Sequence, residues 1–281
     1  MASEMPRRSD FPEYRRCTYC AKLFPEETKM EWEHVFPNSW YSTAPLPSGF
    51  EKPQVPSCHS CNNSGHKLED RLRHRWGSIF EETDADPSRI GLWQRIQDGI
   101  TPKYPPVTGK KAAELKKRNE AKLKARRALQ RSLTVIPVGA DMGNVVGSPL
   151  GRPALFQKGG VVVLGHGGIK FDPKDTQALG EKLVRGFTRH IWKGAVLDPA
   201  QVIDVRMLTT EAQRKNMRDV FSGRTVPVVR REEIGSGSLQ YIVAADPEFR
   251  YPASIWCFVI WRLIWIRAAI SVPMPPGATA T

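Results

Sequence analysis

The sequence predicts an α+β protein, and three observations carry that prediction. Two Cys-x-x-Cys pairs, Cys17/Cys20 and Cys58/Cys61, bracket a compact N-terminal region. A helix-forming segment from 110 to 132 follows, dense in lysine and arginine. The C-terminal half then carries runs rich in β-branched and aromatic residues, which suit an antiparallel sheet. The expected division is 1–100, holding the cysteine pairs and the helices after them, 101–150, a basic helix and a Gly/Pro linker, and 151–281, an α+β domain with an antiparallel sheet.

The elements follow in order. Residues 1–15 are polar and read as loose chain. EDRLRHRWGSIF, 69–80, reads as a helix because Leu72, Trp76 and Phe80 recur every fourth residue. Ile90, Trp93, Ile96 and Ile100 mark a second short helix. Pro105 and Pro106 break the chain. The basic segment is built of strong helix formers. Its apolar stripe, Ala121, Ala125, Ala128 and Leu129, is thin. A helix that is polar nearly all round either bridges solvent or binds something. VGADMGNVVGSPLGRP, 138–153, reads as a connector and domain boundary. Residues 160–164 and 169–171 read as strands about the GHGG turn, 165–168. That turn has no P-loop Lys-Ser/Thr after it, so a glycine hairpin is the expectation. Residues 173–193 read as a helix capped by Asp172, with Leu179, Leu183 and Phe187 on one face. Strands are expected at 202–208, 239–244, 255–260 and 263–270.

The chain has 281 residues, 40% hydrophobic and 25% charged, ordinary for a soluble globular protein. Its formal charge of +13 favours a polyanionic partner, nucleic acid above all. The surplus is uneven. Residues 110–131 hold ten Lys/Arg against two Glu. Within that run Lys116, Lys117, Arg118, Lys122, Lys124, Arg126 and Arg127 are the expected phosphate contacts. At irregular spacing they position a nucleic acid without reading its bases. No apolar leader opens the chain, so a cytoplasmic location is expected and a metal site is the better reading of the cysteine pairs than disulfides. The apolar run 255–272 contains Arg262 and Arg267. Each would cost about 2.5–3.5 kcal/mol at a bilayer centre, so buried strands are expected there and no membrane span.

Each Cys-x-x-Cys turn brings two sulfurs within reach of one ion, so Cys17, Cys20, Cys58 and Cys61 predict a structural zinc site. The 37 residues between the pairs leave room for a hairpin. Inside that loop stands Glu33-His34, and directly after the second pair stands Asn62-Asn63. Joined by a zinc knuckle, these make a workable phosphodiesterase site. A neutral imidazole, His34, can take a proton from water. A hard ion such as Mg²⁺ or Mn²⁺ prefers oxygen ligands, which Glu33 and an asparagine carboxamide offer. His59 reads as exposed or supporting, His74, His166 and His190 as ordinary histidines, and Trp32, Trp40 and Tyr41 as core. His66, four residues after Asn62, shares its helical face; exposure to solvent is its default and a metal or phosphate contact the alternative.

The pattern CTYC…EHVFP…VPSCHSCNNS resembles the HNH (His-Me finger) endonuclease family, in particular bacterial proteins with EHVxP followed by VPSCxxCNN. The likeness covers about residues 17–70. More faintly, 181–194, 239–244 and the Trp-rich end of the chain resemble the C-terminal part of the same group. The resemblance implies a ββα-metal HNH core, with a hairpin carrying His34 and a helix starting near Cys61. It implies His34 as general base, Glu33 as metal ligand, and Asn62, with Asn63 as its rival, in the final position of the motif. The family's middle asparagine is missing; Lys52, Pro53 and Gln54 occupy that zone, and Gln54 can substitute as the positioning amide. The implied activity is metal-dependent cleavage of DNA, with a homodimer as one route to a double-strand cut. The competing expectation is a catalytically degenerate, zinc-stabilised nucleic-acid-binding protein.

Overall fold

The computed structural model describes residues 15–24, 30–76, 85–137, 145–158, 161–170, 172–193, 195–222, 227–246 and 250–270. The chain is α+β, as expected. Strand β1 (Glu31–His34) pairs antiparallel with β2 (Gln54–Ser57), with Glu33 opposite Val55 and His34 opposite Gln54. Helix α1 (His59–Trp76) follows at once. The helix read at 69–80 is its second half, where Leu68, Leu72 and Trp76 face the core. The first half shows no apolar period because its inner face meets sulfur and charged side chains instead. Phe80 lies outside the described residues. Helix α2 (Leu92–Ile100) starts later than its apolar pattern suggested. Gly91 holds the turn before it at φ 74°, and Leu92, Ile96 and Ile100 are buried while Ile90 is exposed.

Helix α3 (Gly109–Ser132) is the expected basic helix, and it packs on α1 and α2. Its inner stripe differs from the expected one. Ala112, Leu115, Asn119, Leu123, Ala125 and Leu129 are shielded, and Ala121 and Ala128 are exposed. A polar residue anchors the stripe: the Asn119 carboxamide donates to the Lys103 carbonyl and accepts from its N–H, at 2.7 and 3.1 Å.

The described part of the Gly/Pro stretch expected as a connector, 145–153, is strand, and 138–144 lie outside the described residues. β3 (Leu133–Pro137), β4 (Val145–Lys158) and β5 (Val161–Lys170) form an antiparallel sheet in the order β3-β5-β4. The GHGG segment is no hairpin turn. It lies within β5, where Gly165 and Gly167 pair on both sides and β4 breaks register beside them. Glycine inside a strand marks such irregularities as well as turns, so composition alone points to the wrong one.

Helix α4 (Pro173–Ile191) begins as predicted, with the Asp172 carboxylate accepting from the Lys174 N–H at 2.9 Å. β6 (Ile203–Met207), α5 (Glu211–Ser222), β7 (Val228–Ile234), β8 (Leu239–Asp246), β9 (Arg250–Ile260) and β10 (Ile264–Ile270) complete the described chain. The five strands form one antiparallel sheet, β6-β10-β9-β8-β7. All four expected strands are in it. α5 and β7 were not expected: α5 buries only Met217 and Phe221, and β7 is a charged edge strand. The described part of the run 255–272, as far as residue 270, lies in the β9–β10 hairpin. Trp261 and Arg262 turn it at φ 53° and 59°, and Arg267 pairs with Asp204 at 3.1 Å. No described helix is long and apolar enough to cross a membrane.

Alternation along β9 divides the layers. Trp256, Phe258 and Ile260 face α4 and the N-terminal elements, while Cys257 and Val259 face α5. The first face closes a single core that includes Val35, Trp40, Leu72, Leu92, Phe187 and Trp261. The 138–153 boundary therefore does not separate two cores. Trp40 and Trp261 lie 5.1 Å apart ring to ring, and the Trp261 indole donates to the Trp40 carbonyl at 2.8 Å. α4 approaches the hairpin so closely that a Cβ on Gly186 would stand 2.6 Å from Val35 Cγ1. Gly186→Ala is expected to cost about 1–3 kcal/mol by overpacking, read as a lower urea midpoint of a single transition.

Candidate metal-binding and catalytic site

The first cysteine pair sits in a tight turn. Its backbone closes through Ala21 N–H to the Cys17 carbonyl, and Ala21 takes a left-handed φ of 56°. The Thr18 N–H donates to the Pro56 carbonyl, which fixes this turn to β2. The second pair straddles the start of α1: Cys58 precedes it and Cys61 lies in its first turn. These elements bring all four sulfurs within 4.8 Å of one another, a set that can hold a structural metal ion such as zinc. Cys20 Sγ and Cys58 Sγ are 3.9 Å apart. Burial pushes the Cys17 thiol up, but backbone N–H groups around it more than offset this, and its pKa lies below the ordinary value. The Cys58 N–H donates to Cys17 Sγ at 3.4 Å.

His34 ends β1. Its Nε2 is 3.2 Å from the Gln54 carboxamide nitrogen across the strand pair. Its Nδ1 is buried and has no hydrogen-bond partner among the described residues. Burial and the positive charges of Lys52 and Lys182 lower its pKa, so the imidazole is neutral near pH 7. Gln54, read from the sequence as a substitute for the loop-positioning amide, faces the His34 ring.

Glu33 and Glu31 share the face of β1 that looks at α1, because strand side chains alternate. Their surroundings differ. Glu33 is buried, and its carboxylate is 2.5 Å from the Lys182 ammonium of α4. Lys182 also pairs with Glu69 of α1. Burial raises the Glu33 pKa and Lys182 works against that rise. Gly65 makes the meeting possible, since a Cβ there would lie 2.7 Å from Glu33 Oε1 and 3.3 Å from the Lys182 nitrogen. Glu31 anchors a more exposed chain of bonds. It accepts from Asn62 Nδ2 at 2.7 Å and meets His59 Nδ1 at 2.9 Å, and Asn63 Nδ2 lies 2.8 Å from His59 Nε2. The Asn62 bond, then that of His59, lowers the Glu31 pKa.

The expected ion ligands thus fall into two adjoining networks, and His34 stands apart from both against Gln54. Asn62 and Asn63 join Glu31 and His59, and Glu33 joins Lys182 and Glu69. Asn62 Oδ1 is buried and has no hydrogen-bond partner among the described residues. It lies one helical turn before Gly65, on the face of α1 that Glu33 meets. His66 is largely exposed, 3.7 Å from Glu69. Trp40 and Tyr41 are core residues. Of the basic residues, Lys116, Lys117, Arg118, Lys124, Arg126 and Arg127 are exposed; Lys122 is half-buried and donates to the Thr101 carbonyl at 3.1 Å.

Sequence reasoning missed Glu31, Glu69 and Lys182. Glu31 had a signal, its position two residues from Glu33 on the same strand face. Lys182 had a fainter one, a lysine on the apolar side of α4 between Leu179 and Phe187. Nothing local to Glu69 distinguishes it from the charges around it.

Purified protein is expected to carry a single zinc ion per chain by mass spectrometry, and Cys61→Ser to lose it. Structural zinc contributes about 10–16 kcal/mol of apparent binding energy in zinc-finger peptides, so that loss should cost more than about 3 kcal/mol in urea unfolding. No family model, curated protein or solved structure matches this chain.

Proposed function

We propose that this chain is a metal-dependent endonuclease of the HNH type that hydrolyses phosphodiester bonds in DNA. The observation that carries this reading is His34. It is an imidazole held neutral, at the end of a hairpin strand, against an amide on the partner strand and beside a helix rooted in a four-cysteine cluster. The Gln54 carboxamide meets His34 Nε2 across the strand pair and fixes the orientation of the ring. His34 then takes a proton from the water that attacks the phosphorus in line.

The donor chemistry suits a hard divalent ion. Asn62 Oδ1 is a buried carboxamide oxygen with no hydrogen-bond partner among the described residues, and Glu33 offers carboxylate oxygens beside Gly65, the residue one helical turn further along α1. Glu33 with Asn62 or Asn63 would hold Mg²⁺ or Mn²⁺, which stabilises charge on the phosphate and the leaving 3′-oxygen. The exposed cations of α3 supply a sequence-independent grip on the phosphate backbone. Glu31 keeps the Asn62 side chain oriented by taking its amide hydrogens, which leaves Oδ1 as the free end.

A second reading is a nucleic-acid-binding protein whose catalytic centre is degenerate. The ion pair between Glu33 and Lys182 favours it, because that carboxylate already has a cation.

Supercoiled-plasmid conversion separates the two. The wild type should cut with Mg²⁺ or Mn²⁺ and not with EDTA, and His34→Ala should lower the rate about 10²–10⁴-fold. Binding without cutting, unchanged in His34→Ala, would establish the second reading. A base acts when deprotonated, so its lowered pKa moves the acid limb of the pH–rate profile below 6.5, the ordinary value. Replacing Lys116, Lys117, Arg126 and Arg127 with Gln should weaken binding to all duplexes alike and flatten the salt dependence, by about 0.9 in slope per lost phosphate contact.

A further inference from the structure

The candidate ion ligand Glu33 is not free in this fold. It shares a buried cluster with Glu69 and Lys182, in which two carboxylates face one ammonium. All three side chains are less than a tenth exposed. With both carboxyl groups ionised the cluster carries more negative than positive charge in a place where water screens little, and His66 stands 3.7 Å from Glu69. The Tyr19 ring faces the ammonium at 5.9 Å but adds no formal charge, and its hydroxyl has no hydrogen-bond partner among the described residues. Beside the cluster opens a cavity of about 360 Å³, lined by Tyr19, Glu33, Arg71, Glu181, Lys182 and Arg185 among others; Arg71 is paired with Asp175, and Arg185 donates to the Leu197 and Asp198 carbonyls. The lysine stem is flexible, and its head is a point charge rather than a shaped fork. The cavity gives that head somewhere to go.

We propose that Lys182 is the resident counter-cation of Glu33, and that a divalent ion loads by displacing it. This rests on the metal-dependent reading of Glu33 and adds a regulatory contact to it. The affinity of the site for its ion is set by a residue of α4, more than a hundred positions away from the motif. Lys182 is a positioning residue: it acts through Glu33 and Glu69. Gly65 is part of the same device, since any side chain there would enter the space between Glu33 and Lys182.

The test is Mn²⁺ binding to the full-length, zinc-loaded protein, followed by titration calorimetry and without nucleic acid. If the ammonium competes with the ion, Lys182→Met should bind Mn²⁺ more tightly, on the order of tenfold, the range of a typical coupling between two bound species. The gain should vanish in the Glu33→Gln/Lys182→Met double variant. Should Lys182→Met fail to fold with both carboxylates unpaired, Lys182→Met/Glu69→Gln compared with Glu69→Gln alone makes the same measurement with one buried charge fewer. Affinity that is unchanged or weaker in the folded variants would overturn the proposal and make Lys182 a support of the site. Tighter Mn²⁺ binding in a protein that cuts no DNA would leave the displacement standing and remove the endonuclease reading. Cutting by the wild type with no tightening in the variants would do the reverse.

Discussion

The contact on which the rest of the structure depends is the Trp261 indole laid against Trp40. Trp261 occupies the β9–β10 turn in a left-handed conformation, which places its ring under the hairpin loop of the N-terminal motif. Trp76 and Phe36 complete an edge-on aromatic group around Trp40. With that group in place, β1, β2 and α1 have a floor, and α4 can run between them and the sheet. The close approach of Gly186 to Val35 then brings the middle of α4 under β1, and Lys182, one helical turn earlier, comes to Glu33. The electrostatics of the candidate site therefore follow from aromatic packing some distance away.

Much of the fold was legible because local signals agreed with tertiary demands. The Asp172 cap and the spacing of Leu179, Leu183 and Phe187 mark α4, and helix formers without breakers mark α3. The strands β6, β8, β9 and β10 announce themselves by β-branched and aromatic content. The four cysteines are legible because a tight turn needs nothing beyond itself to bring two sulfurs together.

What was not legible has physical reasons. The first half of α1 has no apolar period because its inner face is polar, and only the family resemblance points to a helix starting near Cys61. β4 hides, and β5 reads as two strands about a turn, because glycine and proline signal turns and strand irregularities alike. β7 is an edge strand whose arginines and glutamates face solvent, the usual protection of an edge and the opposite of a core pattern. In the site, strand alternation sends Glu33 to α1 and α4 and leaves His34 against Gln54; the alternation is readable from adjacency, the partners are not. The pairing of Glu33 with Lys182 spans 149 positions and belongs to packing alone.

The core shared by the two halves has a consequence for how such a chain can be inherited. A motif that closes on itself can be copied into unrelated proteins as a cassette. Here the cysteine-bearing motif borrows its hydrophobic floor from Trp261 and its buried cation from α4. Recombination that moved residues 15–76 alone would carry away every motif residue and leave behind the surface they stand on. The two ends of this chain are bound to travel together, and a substitution in either is answerable to the other.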